Sequence, residues 1–194
     1  MRVKLIYLIA MATLLLEKPL WAQGIHHEEI DAEPIAAAQK KTNWCWAAGC
    51  EMLAKSQGVD LPQEWFVEKV FGPALPNFPT GGSFEPIRQA LTGKFKTEDG
   101  DTVKMTGAYH YGIPTDPSGM IRSIRDGRPF IFAWEGHVYV CHALNWIDNP
   151  QLRVIELHLI DPYWKYGRSK FRTFNVFRDD PRTINGTFEL LVEK

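Results

Sequence analysis

Cys45 stands between two tryptophans, Trp44 and Trp46, and opens the run CWAAGCEMLAK, with Gln39 six positions before it. The residues after Cys45 are good helix formers. Small residues at 47, 48 and 49 allow close packing, and Gly58 supplies a stop. Cys45 is therefore expected at or just before the first turn of a helix. Unpaired N–H groups and the positive end of the dipole favour a thiolate there. A thiolate becomes a useful nucleophile when a base stands beside it and donors await the oxyanion.

The base must come from six histidines, at 26, 27, 110, 137, 142 and 158. His137 follows Gly136 at the start of a long alternating stretch, where a side chain can face a cleft. The next stretch ends at Asp161-Pro162, where proline stops a strand. A hairpin turning about Asn149 puts His137 and Asp161 across from each other at its open end. An acid in that place fixes the imidazole tautomer and stabilises the imidazolium. His142, five residues on, falls on the opposite face by alternation and reads as a sheet histidine. His158 has the same reading, and nothing pairs His110. Gln39 is close enough in sequence for its amide to reach the oxyanion site, giving two donors with the Cys45 N–H.

Elements that would position these groups can be read in order. A helix follows Cys45, and a second, QEWFVEKVF, opens after Asp60-Leu61-Pro62 with Asp60 as its cap. Residues 72–82 form a Pro/Gly loop, and Ser83 caps a short helix, FEPIRQALTG. Lys94 to Gly112 reads as an irregular, loop-rich stretch with a hairpin signal at Asp99-Gly100. Another helix, SGMIRSIRDG, starts after Asp116-Pro117. The second half is β-rich, with strands expected at 129–134, 137–146, 152–160, 171–177 and 187–194. Helices first and an antiparallel sheet after define an α+β class.

Residues 1–22 stand apart. Arg2 and Lys4 precede an apolar run, and Pro19-Leu20-Trp21-Ala22 offers a cleavage site, the layout of a secretory signal peptide. The mature chain is expected to be secreted or periplasmic, with no stable membrane association. Residues 23–35 form an N-terminal arm, and 36–194 form one domain. Losing the signal takes the formal net charge from −1 to −3, which argues against nucleic acid as a partner. His26-His27-Glu28-Glu29 lacks a second ligand cluster, so neither a metal nor another cofactor is expected.

Cys45 and Cys50 on one helix lie about 8–9 Å apart at Cα, beyond disulfide reach. That leaves either a Cys50–Cys141 bridge or three buried thiols.

Gln39, five intervening residues and Cys45-Trp46-Ala47, followed by Gly136-His137 and Asp161-Pro162, resemble the papain-like cysteine peptidases. The string NWCWAA is most similar to their compact bacterial branch, which includes bacteriocin-leader-processing and secreted effector peptidases. The resemblance implies a papain-like fold, with N-terminal helices packed on a C-terminal antiparallel sheet. It also implies an endopeptidase acting on a protein or peptide substrate. Cys45 would be the nucleophile, His137 the base, Asp161 the orienting acid and Gln39 the oxyanion donor. ThrAsnTrp replaces the usual GlySerCys before the nucleophile, and the Cys45-to-His137 gap is shorter than in the plant and lysosomal enzymes. Only about a dozen residues separate the signal from the domain, so inhibition by a large propeptide is not expected. A monomer is expected. Two other functions fit the same residues: a thiol acyltransferase of transglutaminase type, and an inactive binding module.

Overall fold

The computed structural model describes residues 24–73, 84–97, 100–148 and 150–193. The apolar segment 1–22, most of the Pro/Gly loop 72–82 and Ser83 lie outside the described residues. A short strand, β1 (His26–Glu29), precedes three helices, α1 (Cys45–Ser56), α2 (Gln63–Phe71) and α3 (Glu85–Ala90). There follow β2 (Gly93–Lys96), β3 (Thr102–Tyr111), α4 (Ser118–Arg125), β4 (Phe130–Trp134), β5 (His137–Ile147), β6 (Arg153–Ile160), β7 (Phe171–Asn175) and β8 (Ile184–Glu193). The strands form one sheet in the order β2-β3-β8-β4-β5-β6-β7, with β1 added on β5. Every pairing is antiparallel. The architecture is α+β.

Helix α1 is apolar on nearly all sides, as a helix enclosed in a core must be. Residues 45 to 50 and Met52, Leu53 and Ala54 are all buried. It packs between one face of the sheet, at Ile131, Ala133, Val138 and Val140, and the helices that carry Phe66 and Ile87. The opposite face of the sheet holds a second cluster, in which Phe130, Phe132, Trp134, Tyr139 and Phe174 meet Met120 and Ile124 of α4. Strand β4 is buried on both faces, which explains its unbroken apolar sequence. Gly49 sets how closely α1 approaches the sheet. A Cβ there would lie 3.0 Å from Val138 Cγ1 and 3.1 Å from Ile131 Cδ1.

Three expectations need correction. The stretch from Lys94 to Gly112 is not loop-rich: β2 pairs with β3, and β3 runs along β8 from Lys104 opposite Glu193 to Tyr111 opposite Gly186, while Asp99 of the expected turn lies outside the described residues. Only Val103 and Met105 of β3 are buried, so the strand has no sustained apolar alternation. Its partner β8 specifies it. The arm also contributes a strand, β1, whose sequence His-His-Glu-Glu has no apolar face. It pairs with residues 143–146 of β5, on the edge left free where β4 stops pairing at Cys141. At α2, Pro62 in extended conformation takes the capping position in place of Asp60, and no side chain caps the helix.

Because Gly49 sits in tight contact with two branched side chains, Gly49→Val is expected to lower stability by about 1–3 kcal/mol through overpacking. The midpoint of urea unfolding, compared with wild type, measures this.

Candidate active site

Cys45 is the first residue of α1 and is 7% exposed. Trp44 occupies the capping position without a side-chain hydrogen bond, and no acid lies in the first turn. The first-turn N–H groups, which lack intrahelical partners, therefore lie at the cysteine's end of the helix with no acid of that turn competing for them.

His137 is set by the turn before it. Trp134 and His137 are paired across β4 and β5, so Glu135-Gly136 is a two-residue hairpin loop. Both loop residues have positive φ, 51° and 72°, the conformation that matches strand twist. Glycine adopts it freely, whereas glutamate does so at a cost. The loop delivers His137 to the first position of β5.

His137 Nε2 donates to Asp161 Oδ1 at 2.8 Å. Cys45 lies close enough to raise the pKa of the ring, and with Nε2 committed to Asp161, Nδ1 is the nitrogen left to serve the sulfur. Asp161 is fully buried, and its Oδ1 also accepts the Tyr163 N–H at 2.9 Å. This local Asx-type turn is foreshadowed by the Asp-Pro pair. The rings of Tyr139 and Tyr163 stand edge-on to the imidazole, at 4.7 and 6.2 Å between centroids.

The meeting of His137 with Asp161 does not come from direct strand pairing about Asn149. Val140 lies opposite Ile160 and Ile147 opposite Arg153, so the hairpin is centred on position 150. The register departs from this between two irregularities and then returns. Asp161 sits just past the end of β6, and the length of the histidine side chain spans the offset.

Gln39 is 2% exposed. Its backbone N–H donates to Pro162 O at 2.8 Å, which ties the loop before Cys45 to the loop after Asp161. The side-chain nitrogen donates to Lys41 O at 2.8 Å and to Thr42 O at 2.5 Å, while its oxygen is buried without a partner. Both amide hydrogens thus hold the turn that leads into α1. Gln63, which the sequence did not single out, staples this region from the other side. It accepts from Lys40 N–H and donates to Ala38 O and Glu51 Oε2. A lone polar residue opening an amphipathic helix carries no sequence signal for such a role.

Of the remaining histidines, His142 is buried, and its Nδ1 donates to Ile30 O in the arm at 3.1 Å. His158 lies near Glu156 and Asn145, and His110 is exposed on β3 opposite Thr187. His26 stacks on Trp146, and His27 bonds to Asn145. Among the described residues, no group of three or more His, Cys, Asp or Glu is placed to hold a metal ion. All three cysteines are free and buried, so the Cys50–Cys141 bridge does not form. Burial pushes both of those thiols far above the ordinary range, leaving them unreactive.

Electrostatics separate the two polar partners. Burial alone would lower the His137 pKa, but the hydrogen bonds and charges of Asp161 and Cys45 outweigh it and push it up to about 9. Burial would raise the Asp161 pKa. The His137 hydrogen bond, the Tyr163 N–H and the charges of His137 and Arg168 hold it below the usual carboxylate range.

No protein-family model matches the chain, and no curated protein matches it. Among solved structures, it is similar to the peptidase domain of Streptococcus ComA, a bifunctional ABC transporter involved in a quorum-sensing pathway. The two share 15% identity with a TM-score of 0.47, over 86% of this chain and 98% of that domain.

The imidazole of His137, followed by proton NMR, is expected to titrate near 9 and to fall towards 6.5 or below in Asp161→Asn. Its folded pKa lies above the unfolded value. The stability it contributes is therefore full below about 6.5 and lost as pH rises through about 9. Urea unfolding of wild type against His137→Gln across that window should converge at the alkaline end.

Proposed function

We propose that the protein is a small papain-like cysteine endopeptidase in which Cys45, His137 and Asp161 act as a triad. The observation that carries this reading is the His137 imidazole bonded to a buried carboxylate, with its pKa raised by the thiol at the start of a helix. Cys45 gives its thiol proton to His137, Sγ attacks the carbonyl carbon of a peptide bond, and the carbonyl π electrons move onto oxygen. The tetrahedral oxyanion collapses, the C–N bond breaks, and His137 hands a proton to the departing amine, leaving a thioester. Water then attacks the thioester carbon as His137 takes its proton, the C–S bond breaks, and the proton returns from His137 to the leaving sulfur as the acid product departs. Asp161 holds the ring in the tautomer these transfers need.

The Cys45 N–H and the Gln39 amide are the proposed oxyanion donors. Gln39 would release the Lys41 or Thr42 carbonyl and donate to the substrate oxygen in its place, which couples the turn before α1 to substrate binding. Export through residues 1–22 and action on an extracytoplasmic protein or peptide complete the proposal. The acyltransferase reading uses the same thioester and differs only in taking an amine where the peptidase takes water.

Mature protein treated with an epoxide thiol inactivator is expected to carry one adduct, mapped by mass spectrometry to Cys45. An unmodified Cys45 would overturn the reading. On a peptide library, Cys45→Ala should lower turnover by about 10³-fold or more with unchanged circular dichroism. His137→Ala should cost about 10²-fold or more, and His142→Ala far less. An added primary amine that diverts the acyl product from acid to amide would favour the acyltransferase.

A further inference from the structure

The loop of residues 161–170 joins β6 to β7 and is closed at its base by the Asp161 N–H bond to Lys170 O, 2.8 Å. Within it, a short 3₁₀ turn at Trp164–Tyr166 is followed by Gly167 with φ of 91°. This left-handed residue brings Arg168 back over Asp161. A hollow of about 350 Å³ lies there, lined by Asp161, Arg168, Ser169 and Arg172.

The two oxygens of Asp161 are treated unequally. Oδ1 takes two hydrogen bonds, from His137 and from the Tyr163 N–H. Oδ2 is buried and has no hydrogen-bond partner. A buried carboxylate oxygen without a donor is costly and invites a proton or a rotation of the group. Either change would disturb the face offered to His137.

Two cations line the hollow beside this carboxylate, Arg168 and Arg172, and a third, Lys170, follows in the same loop; two of the three are committed. Arg172 donates to the Tyr139 hydroxyl at 2.9 Å and lies over the Trp134 ring. Lys170 donates to Glu33 at 2.7 Å. Arg168 remains, with Nη1 3.7 Å from Asp161 Oδ2 and its guanidinium 5.0 Å above the Tyr163 ring. Half exposed, it needs a shift of only about 0.8 Å to reach charge-assisted hydrogen-bond distance. The ring beneath it guides that approach.

We propose that Arg168 is a positioning residue, whose guanidinium closes on Oδ2 of Asp161 and locks the carboxylate with Oδ1 facing His137. This rests on the reading of Asp161 as the partner of His137 in catalysis, and it adds a fourth side chain acting through the third. The groups that face Asp161 are then His137 and Tyr139 from β5, Arg172 from β7, and Tyr163 and Arg168 from its own loop. A cation at Oδ2 opposes protonation there, so the imidazole keeps its anionic neighbour further into acid.

The test compares wild type, Arg168→Gln and Arg168→Lys by carbon NMR titration of the Asp161 carboxyl. The pH profile of Cys45 alkylation by iodoacetamide is measured alongside. In Arg168→Gln, the carboxyl midpoint is expected to rise by about 1 pH unit or more, and the acid limb of alkylation is expected to follow it. Arg168→Lys should restore most of the shift. In wild type, 1 M sodium chloride should move the midpoint towards the Gln variant, which tests the contact without any substitution. Superimposable titrations in wild type and Arg168→Gln would overturn the assignment. A shifted carboxyl in protein that cleaves no peptide would leave Arg168 in place and defeat the peptidase reading instead.

Discussion

The bond from His137 to Asp161 is strong because water does not compete for it. The carboxylate is fully buried and the imidazole largely so, and a charge-assisted hydrogen bond gains strength in such surroundings. Removing a charge from water is also costly, so the surroundings must supply what solvent would. They do so mostly from the loop that Asp161 opens, which gives the Tyr163 N–H, the Tyr163 ring edge and the Arg168 guanidinium, with a second aromatic edge from Tyr139 of β5. The loops on either side of the site are arranged to make that one buried contact tolerable.

The sheet supplies the geometry. A tight turn at Glu135-Gly136 starts β5 at His137, and the far end of β6 delivers Asp161. The close approach at Gly49 presses the end of α1 towards the same region. Among the described residues, Gln39 N–H to Pro162 O is the one hydrogen bond between the loop before Cys45 and the loop after Asp161 that needs no side chain. The two halves of the site are therefore joined through backbone as well as through the histidine.

Much of this was legible in the chain itself. Cys45 at a helix start followed from the composition of residues 46 to 54, and β4 to β8 from their apolar and alternating runs. Elements held by a neighbour were not legible. β1 and the second half of β3 carry no apolar stripe of their own, and they exist because β5 and β8 offer unpaired edges. The hairpin centre was misjudged by one residue because irregular pairing in β5 and β6 cannot be seen in a hydrophobic pattern. At Gln39 the residue was identifiable, but the sequence held no sign that its amide already serves the turn before the helix.

With no covalent bond between sulfurs, the fold owes nothing to the thiol–disulfide poise of its compartment. The chain holds the same architecture in reducing and oxidising surroundings. Cys50 and Cys141 are sealed in the core, so oxidation has one place to act. A sulfenic acid at Cys45 would change the thiol beside His137 and leave the two core thiols untouched, and a small thiol would reverse it. Core packing and thiol reactivity are thus assigned to different sulfur atoms.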